Sequence, residues 1–405
     1  MSTTIAPSVV VPSANIADLQ PSATIAVAAL AAQLRAAGRE ILDFGAGQPD
    51  FDTPQFIRQA AAEAVEAGAT RYTATEGMFP LRQAIADQAS ALAGGRWPVT
   101  AHQVVVSGGS KQSIFNACFS LFGPGDEVLV PVPGWTSYFE IVRLARARAV
   151  GVPGDPDQGL RVDPDRLAAA ASPRTSGLIL NSPCNPTGSV YSSDEMRAIL
   201  DLAAERGWWV LSDEIYRRIA YESAAPSALQ VASDPSRLVV VDGVAKAYAM
   251  TGWRIGWAVS PEPLARMMTA LQSHTTHNAA TVSQHAALAA LSRVGESDDA
   301  IATMVSAFRE RRDAALEVLG GVPRLRTVQP AGAFYLFMNV RPFARDGADA
   351  GGEIARRLLD EQGVALVPGS AFGSPDWIRM SYAAPLDQVV EGARRISALL
   401  HDGVR

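Results

Sequence analysis

The sequence predicts an α/β fold, with a large unit built on a mainly parallel sheet between helices and a smaller α+β unit after it. Three observations carry this. The chain has 405 residues, more than one compact core usually holds. Its composition, 48% apolar, 19% charged and 7% aromatic, is that of an ordinary α/β protein and excludes disorder over most of the length. Short apolar runs bounded by Gly, Pro or Asp alternate with Ala-rich helical patterns, the rhythm of repeated βα units.

The elements follow in order. The pattern predicts helices over 54–67, with Pro54 near the start, and over 81–92, a strand over 103–107 and the helix 111–122 behind it. Strands over 127–131, 178–181, 208–212, 238–242 and 255–259 continue the series, with a helix over 194–205. A long charged helix over 297–319 opens the second unit. A strand over 332–339, a helix over 351–361 and strands over 364–367 and 378–382 complete it.

Composition also removes function classes. A net charge of -6 offers no general basic field for nucleic acid or anionic lipid, so a phosphate must be held locally and small molecules are the expected partners. Cys118 and Cys184 do not make a disulfide framework, which points to a reducing compartment. Residues 1–15 lack the basic and apolar regions of a secretory signal and read as a flexible arm. No apolar run approaches a membrane span, so the expected location is the cytoplasm.

The chemistry begins in the segment 242–257, where Lys246 follows an apolar strand and Arg254 stands eight residues on. A solvated loop lysine is the plain alternative. Ala245 and Ala247, however, leave room for close approach to the amine, and Arg254 supplies a fork suited to phosphate, which together suit a Schiff-base cofactor. Asp213 ends another apolar strand, with Tyr216 three residues later. It reads either as a helix N-cap or as a carboxylate that keeps a cofactor ring nitrogen protonated. In Asn181-Ser-Pro-Cys-Asn185-Pro-Thr-Gly188 two prolines and a glycine fix a turn that holds Asn185 at the same sheet edge. Gly108-Gly109-Ser110-Lys111 joins a strand to a helix, a weak anion-site signal alone.

These segments, in this order, resemble the class I and II aminotransferases, pyridoxal 5'-phosphate (PLP) enzymes of fold type I. The nearest likeness is to the bacterial aspartate/prephenate subgroup. It runs from about Pro21 to the C-terminus and is carried also by Pro21-Ser-Ala-Thr24, Gly45-Ala-Gly47-Gln-Pro-Asp, Arg71-Tyr72, Gly134-Trp135-Thr-Ser-Tyr138, Gly332-Ala-Phe-Tyr335 and Arg379-Met-Ser-Tyr382. The resemblance implies a mainly parallel seven-stranded sheet in a large PLP-binding domain, 51–294, and a small domain from 16–50 and 295–405.

It also implies roles for this chain's residues. Lys246 holds the cofactor as an internal aldimine and shuttles the proton at the substrate Cα. Asp213 faces the pyridine nitrogen, Asn185 and Tyr216 contact the phenolate oxygen, and Trp135 stacks on the ring. Gly109, Ser110 and Arg254 form the phosphate cup. Tyr72 matches a phosphate ligand donated by the neighbouring subunit, which implies a homodimer with shared sites. Arg379 grips the substrate α-carboxylate, with Gly47 giving backbone access, and Lys111 recognises a distal carboxylate with help from Ser22 and Thr24.

The chain departs from the pattern at Gln20, where prephenate-active members tend to carry a basic residue, and at Gly243 and Ala245, which offer the phosphate no hydroxyl. It departs again at Asp242, where relatives often have Asn. The expected reaction is ping-pong transfer of an amino group between aspartate or glutamate and a 2-oxo acid such as 2-oxoglutarate. Transamination of aromatic or neutral amino acids, or β-elimination on the same scaffold, are the alternatives. A non-catalytic regulator is disfavoured because the short arm has no room for a DNA-binding domain.

Overall fold

A computed structural model of the chain describes residues 13–16, 19, 21, 23–345 and 347–402. Residues 1–12 of the expected arm, Gln20 and Ser22 lie outside the described residues.

Seven strands form the central sheet: β1 (Val104–Ser107), β2 (Glu127–Val132), β3 (Arg148–Pro153), β4 (Thr175–Asn181), β5 (Trp209–Asp213), β6 (Leu238–Gly243) and β7 (Gly256–Val259). Their spatial order is β1-β7-β6-β5-β4-β2-β3. Pairings from β6 to β3 are parallel, while β7 runs antiparallel to both β1 and β6. Successive side chains enter opposite apolar layers. Val104 and Val106 face one cluster and Val105 the other, and Leu178 and Leu180 oppose Ile179 in the same way. With both faces covered, β1 and β7 are buried at every position and β4, β5 and β6 at nearly every one, which is why they read as continuous apolar runs.

The register sets what meets at the carboxyl edge, where ligands of open α/β sheets collect. Asn181 pairs with Asp213, Asp213 with Val241, Gly243 with Gly256, and Gly256 with Ser107. A Cβ on Gly256 would lie 2.1 Å from the Ser110 nitrogen, so only glycine lets β7 pass beneath the start of the helix Ser110–Leu121.

A second, antiparallel sheet contains β8 (Arg326–Val328), β9 (Tyr335–Asn339), β10 (Val367–Pro368) and β11 (Trp377–Ser381), in the order β10-β11-β9-β8. Arg379 pairs with Phe337 across β11 and β9. The long helix Val294–Gly320 reaches back to the first sheet's edge through Arg311, which holds both oxygens of Asp50 at 2.7 and 2.9 Å and so fixes the segment after Gly47.

Several elements differ from expectation. The strand expected over 332–339 begins only at Tyr335, because Ala333 takes a left-handed φ of 56°. The strand expected over 364–367 divides: Val364–Ala365 pairs with Leu42–Asp43, and Val367 turns into the other sheet. The helix Ala23–Ala36 has no clean apolar stripe, since Ile25 is 68% exposed while Ala31 is buried, and periodicity does not announce it. Edge strand β3 carries Gly151 and Pro153, which mask its pattern.

Candidate active site

A cavity of about 310 Å³ opens at the carboxyl edge between the two sheets. Four cations line it, Lys111, Lys246, Arg254 and Arg379, against one carboxylate, Asp213. Among the described residues none of these five groups forms an ion pair. Unpaired charge of one sign around a partly closed space is costly unless a ligand of the opposite sign completes it. The cavity is therefore built for an anion.

Lys246 lies on the turn that follows β6. Its Nζ donates to the Gly47 carbonyl and stands 5.8 Å from the centre of the Tyr216 ring. Burial, with Arg379 and Arg254 adding to it, brings the amine down to about 8 against the pull of Asp213. Far more of the amine is then neutral near pH 7 than for an ordinary lysine, as a nucleophilic amine requires.

Asp213 ends β5. Its Oδ2 accepts from the Tyr138 hydroxyl at 2.6 Å and its Oδ1 from the Ile215 N–H at 3.2 Å, so it caps a turn and not a helix. Burial pushes its carboxyl up to about 6 in spite of those bonds and the charge of Lys246. Asn181 holds two parts of the site together, donating to the Asp213 carbonyl at 3.0 Å and accepting from the Asn185 N–H at 2.9 Å.

Arg379 is almost fully buried, at 1% exposure, between the rings of Tyr335 and Phe372, 4.5 and 5.0 Å from its guanidinium carbon. It donates to Asn185 Oδ1 at 2.9 Å and to the Gly45 carbonyl at 2.7 Å, while its Nε has no partner. A Cβ on Gly47 would fall 2.6 Å from the Tyr335 hydroxyl, so glycine is required there. Tyr216 and Tyr335 touch through their hydroxyls at 2.7 Å.

At the opposite end Gly109 caps the helix Ser110–Leu121 with φ 98°. Any side chain there would meet the Arg254 guanidinium at 2.6 Å. Arg254 donates to the Thr251 carbonyl at 3.0 Å and the Gly108 carbonyl at 3.3 Å, which aims it across the helix start. Helix N–H groups, Ser110 and Arg254 thus form one anion cradle. Lys111 stands 4.8 Å over the Trp135 ring, and burial together with Arg254 lowers its amine.

The structure brings Gly47, Ser110, Lys111, Trp135, Asn185, Asp213, Tyr216, Lys246, Arg254, Arg379 and Thr24 around one cavity, with Gly109 against Arg254. Tyr72 is not among them: it is 86% exposed and lies against the His277 ring, 5.1 Å between centres. Ser22 lies outside the described residues. Sequence reasoning assigned no role to Tyr138, Asn181 or Tyr335. Tyr138 stands one helical turn after Trp135, which is the available signal; Tyr335 closes a segment that carries the family resemblance, but nothing local ties it to Tyr216, 119 residues away.

One strand position beyond Asp213 the charge balance inverts. Glu214 and Asp242 share a single cation, Arg217, at 3.5 and 3.9 Å. Burial pushes Asp242 up to about 7, and Arg217 only partly offsets it. Near neutrality Asp242 carries a proton much of the time and then donates and accepts as an amide does, a physical account of its standing where relatives often have Asn.

An amine of lowered basicity, a tryptophan face and an anion cradle thus line one cavity at the edge of a doubly wound sheet, the class of site in which an enzyme takes up an anionic ligand beside a nucleophile. The comparisons make this specific. Residues 39–396 match the family model for aminotransferases of class I and II, and the chain belongs to that family. It is 42% identical over 400 residues to an aspartate aminotransferase of Streptomyces avermitilis, covering 96% of each chain. It is 39% identical over 388 residues to the aspartate/prephenate aminotransferase of Thermus thermophilus, covering 96% of this chain and 98% of that one. The solved aspartate aminotransferase of Thermus thermophilus with maleate superposes with a TM-score of 0.91 at 39% identity, over 96% of this chain and 99% of that one.

Proposed function

We propose that the chain is a PLP-dependent aminotransferase that moves the amino group of aspartate or glutamate to a 2-oxo acid such as 2-oxoglutarate. The cavity's four cations against one carboxylate carry the reading. A phosphate at Ser110 and Arg254, an α-carboxylate at Arg379 and a distal carboxylate at Lys111 would neutralise it. The residues fit the cofactor: Gly109 keeps the cradle open, the Arg379 Nε has no acceptor, and Asp213 is a buried carboxylate with no ion pair among the described residues. PLP, when bound, supplies an electron sink for the bond broken at the substrate Cα.

The protein's part is positioning and proton handling. Lys246 would supply the amine that holds the cofactor, and its Nζ would be the group that carries the proton taken from the substrate Cα. Asp213, steadied by Tyr138, would hold the cofactor's ring nitrogen protonated, and Tyr216 and Asn185 would hold its phenolate oxygen. Trp135 covers the ring. Arg379, held by Asn185 and the Gly45 carbonyl, fixes the substrate so that its Cα hydrogen faces Lys246.

The 86% exposure of Tyr72 supports donation of this phenol to a neighbouring subunit, hence a homodimer with shared sites. Residues 51–294 then form the cofactor domain, and 16–50 with 295–405 the small domain. No helix among the described residues is long and apolar enough to cross a membrane, and the reading places the enzyme in the cytoplasm. The test is half-reaction spectroscopy: the PLP form mixed with a panel of amino acids, following conversion to pyridoxamine phosphate. Aspartate and glutamate are expected to convert fastest. Faster conversion by alanine or phenylalanine overturns the substrate assignment, and pyruvate with ammonia released from cysteine-type substrates would mark a β-lyase.

A further inference from the structure

Tyr335 opens β9, pairs with Ser381 of β11, and is fully buried. Its hydroxyl has one hydrogen-bonding partner among the described residues, the Tyr216 hydroxyl at 2.7 Å. Gly47 closes the other side of that hydroxyl, where even a Cβ would sit 2.6 Å away. The same holds for Tyr216, whose hydroxyl has no other partner among the described residues. Each phenol carries one proton, so one must donate and the other accept.

The surroundings decide the direction. Both rings face a cation, Arg379 at 4.5 Å from the centre of Tyr335 and Lys246 at 5.8 Å from that of Tyr216, and the nearer guanidinium makes Tyr335 the more acidic of the two. The more acidic hydroxyl is the better donor. Tyr335 therefore donates to Tyr216, and the Tyr216 proton is left free to point into the cavity. Ala333, held left-handed at φ 56° two residues earlier, has its carbonyl gripped by the Tyr221 hydroxyl, which fixes the point where β9 begins. The Tyr335 ring cannot turn to another partner.

We propose that Tyr335 is a positioning residue for Tyr216, whose proton it commits to the phenolate oxygen of the bound cofactor. This rests on the reading of Tyr216 as a partner of that oxygen. Two phenols in series stabilise negative charge on the oxygen more than one, and so ease loss of the proton from the lysine-cofactor linkage.

The test is a spectroscopic pH titration of the holoenzyme's visible absorbance, which reports the protonation of that linkage. Tyr335→Phe keeps the ring beneath Arg379 and removes only the hydroxyl. The midpoint is expected to rise by about half a unit to one unit, the size of one hydrogen bond. Affinity for a dicarboxylate inhibitor should stay within about 2-fold, because the Arg379 grip is untouched. Tyr216→Phe should raise the midpoint further, and the Tyr216→Phe/Tyr335→Phe double variant should match Tyr216→Phe alone. A ring-fluorinated tyrosine placed at 335, a stronger donor, should lower the midpoint, and it keeps the question open to decision should the Phe variant fail to fold. An unchanged midpoint in Tyr335→Phe beside a shifted one in Tyr216→Phe overturns the proposal and leaves the cofactor reading standing. Additive shifts in the double variant also overturn it, since Tyr335 would then act independently. Absence of any titrating visible band in the unmodified protein would sink the cofactor reading itself.

Discussion

Two charged clusters lie side by side at the carboxyl edge of β5 and β6, and they solve opposite problems. In the cavity Lys111, Lys246, Arg254 and Arg379 face one carboxylate, Asp213. In the cluster beside it Glu214 and Asp242 face one cation, Arg217. The first imbalance stands in a space with room for a molecule, and a bound anion can cancel it. The second lines no such cavity; there burial above all, with the Glu214 and Asp213 charges adding to it, pushes Asp242 up to about 7, and a proton relieves it. Excess charge of either sign costs stability when buried. Only where a ligand can enter is that cost turned into binding.

The contrast can be broken most severely at Lys246. Lys246→Ala should lower transaminase activity by about 10⁴-fold or more and abolish borohydride-trappable cofactor, measured by absorbance and mass. A covalently trapped cofactor in that variant would overturn the central assignment.

Arg379→Lys keeps the charge and loses the fork. KM for both amino and 2-oxo acids should rise about 10- to 100-fold, with a smaller change in kcat, since the contact serves ground and transition state alike. Equal losses in kcat and kcat/KM would instead assign Arg379 to the chemical step.

At Lys111 the effect should be one of selection. Lys111→Ala is expected to lower kcat/KM for aspartate and glutamate about 10-fold and to leave alanine unchanged. A uniform loss across all three would remove Lys111 from substrate recognition.

The smallest effect belongs to the acidic cluster. Asp242 has a folded value near 7, above its unfolded value, so the folded state holds an extra proton between those limits. Stability contributed by that proton is complete below the unfolded value and is lost as pH rises through about 7. Asp242→Asn should therefore raise stability at pH 8 and change it much less at acidic pH, read by denaturant melts at both. A gain equal at the two pH values would show that charge is not the cause.

Much of this was legible in the chain. Six strands of the central sheet are apolar runs read from local pattern, all but the edge strand β3, and Lys246, Asp213 and Asn185 stand at or just past the ends of three of them. Arg254 was legible from its spacing after Lys246. Less legible was what comes from elsewhere in the chain. The helix Ala23–Ala36, which brings Thr24 to the cavity, has apolar residues on several faces and no clear stripe. The strand carrying Tyr335 begins three residues later than the pattern suggests, because Ala333 adopts a conformation that no residue-level preference favours.

The sequence by itself determined the layered α/β fold, the strand ends that present the reactive groups, and the lysine around which they gather, since each depends on periodicity or on neighbours within a few positions. Tertiary structure alone decided which charges are left unpaired and which hydroxyl gives its proton to which. Those depend on distances between groups more than a hundred residues apart, such as Arg379 to Asn185 and Tyr335 to Tyr216, and on the burial that gives a single unpaired charge or proton its energetic weight.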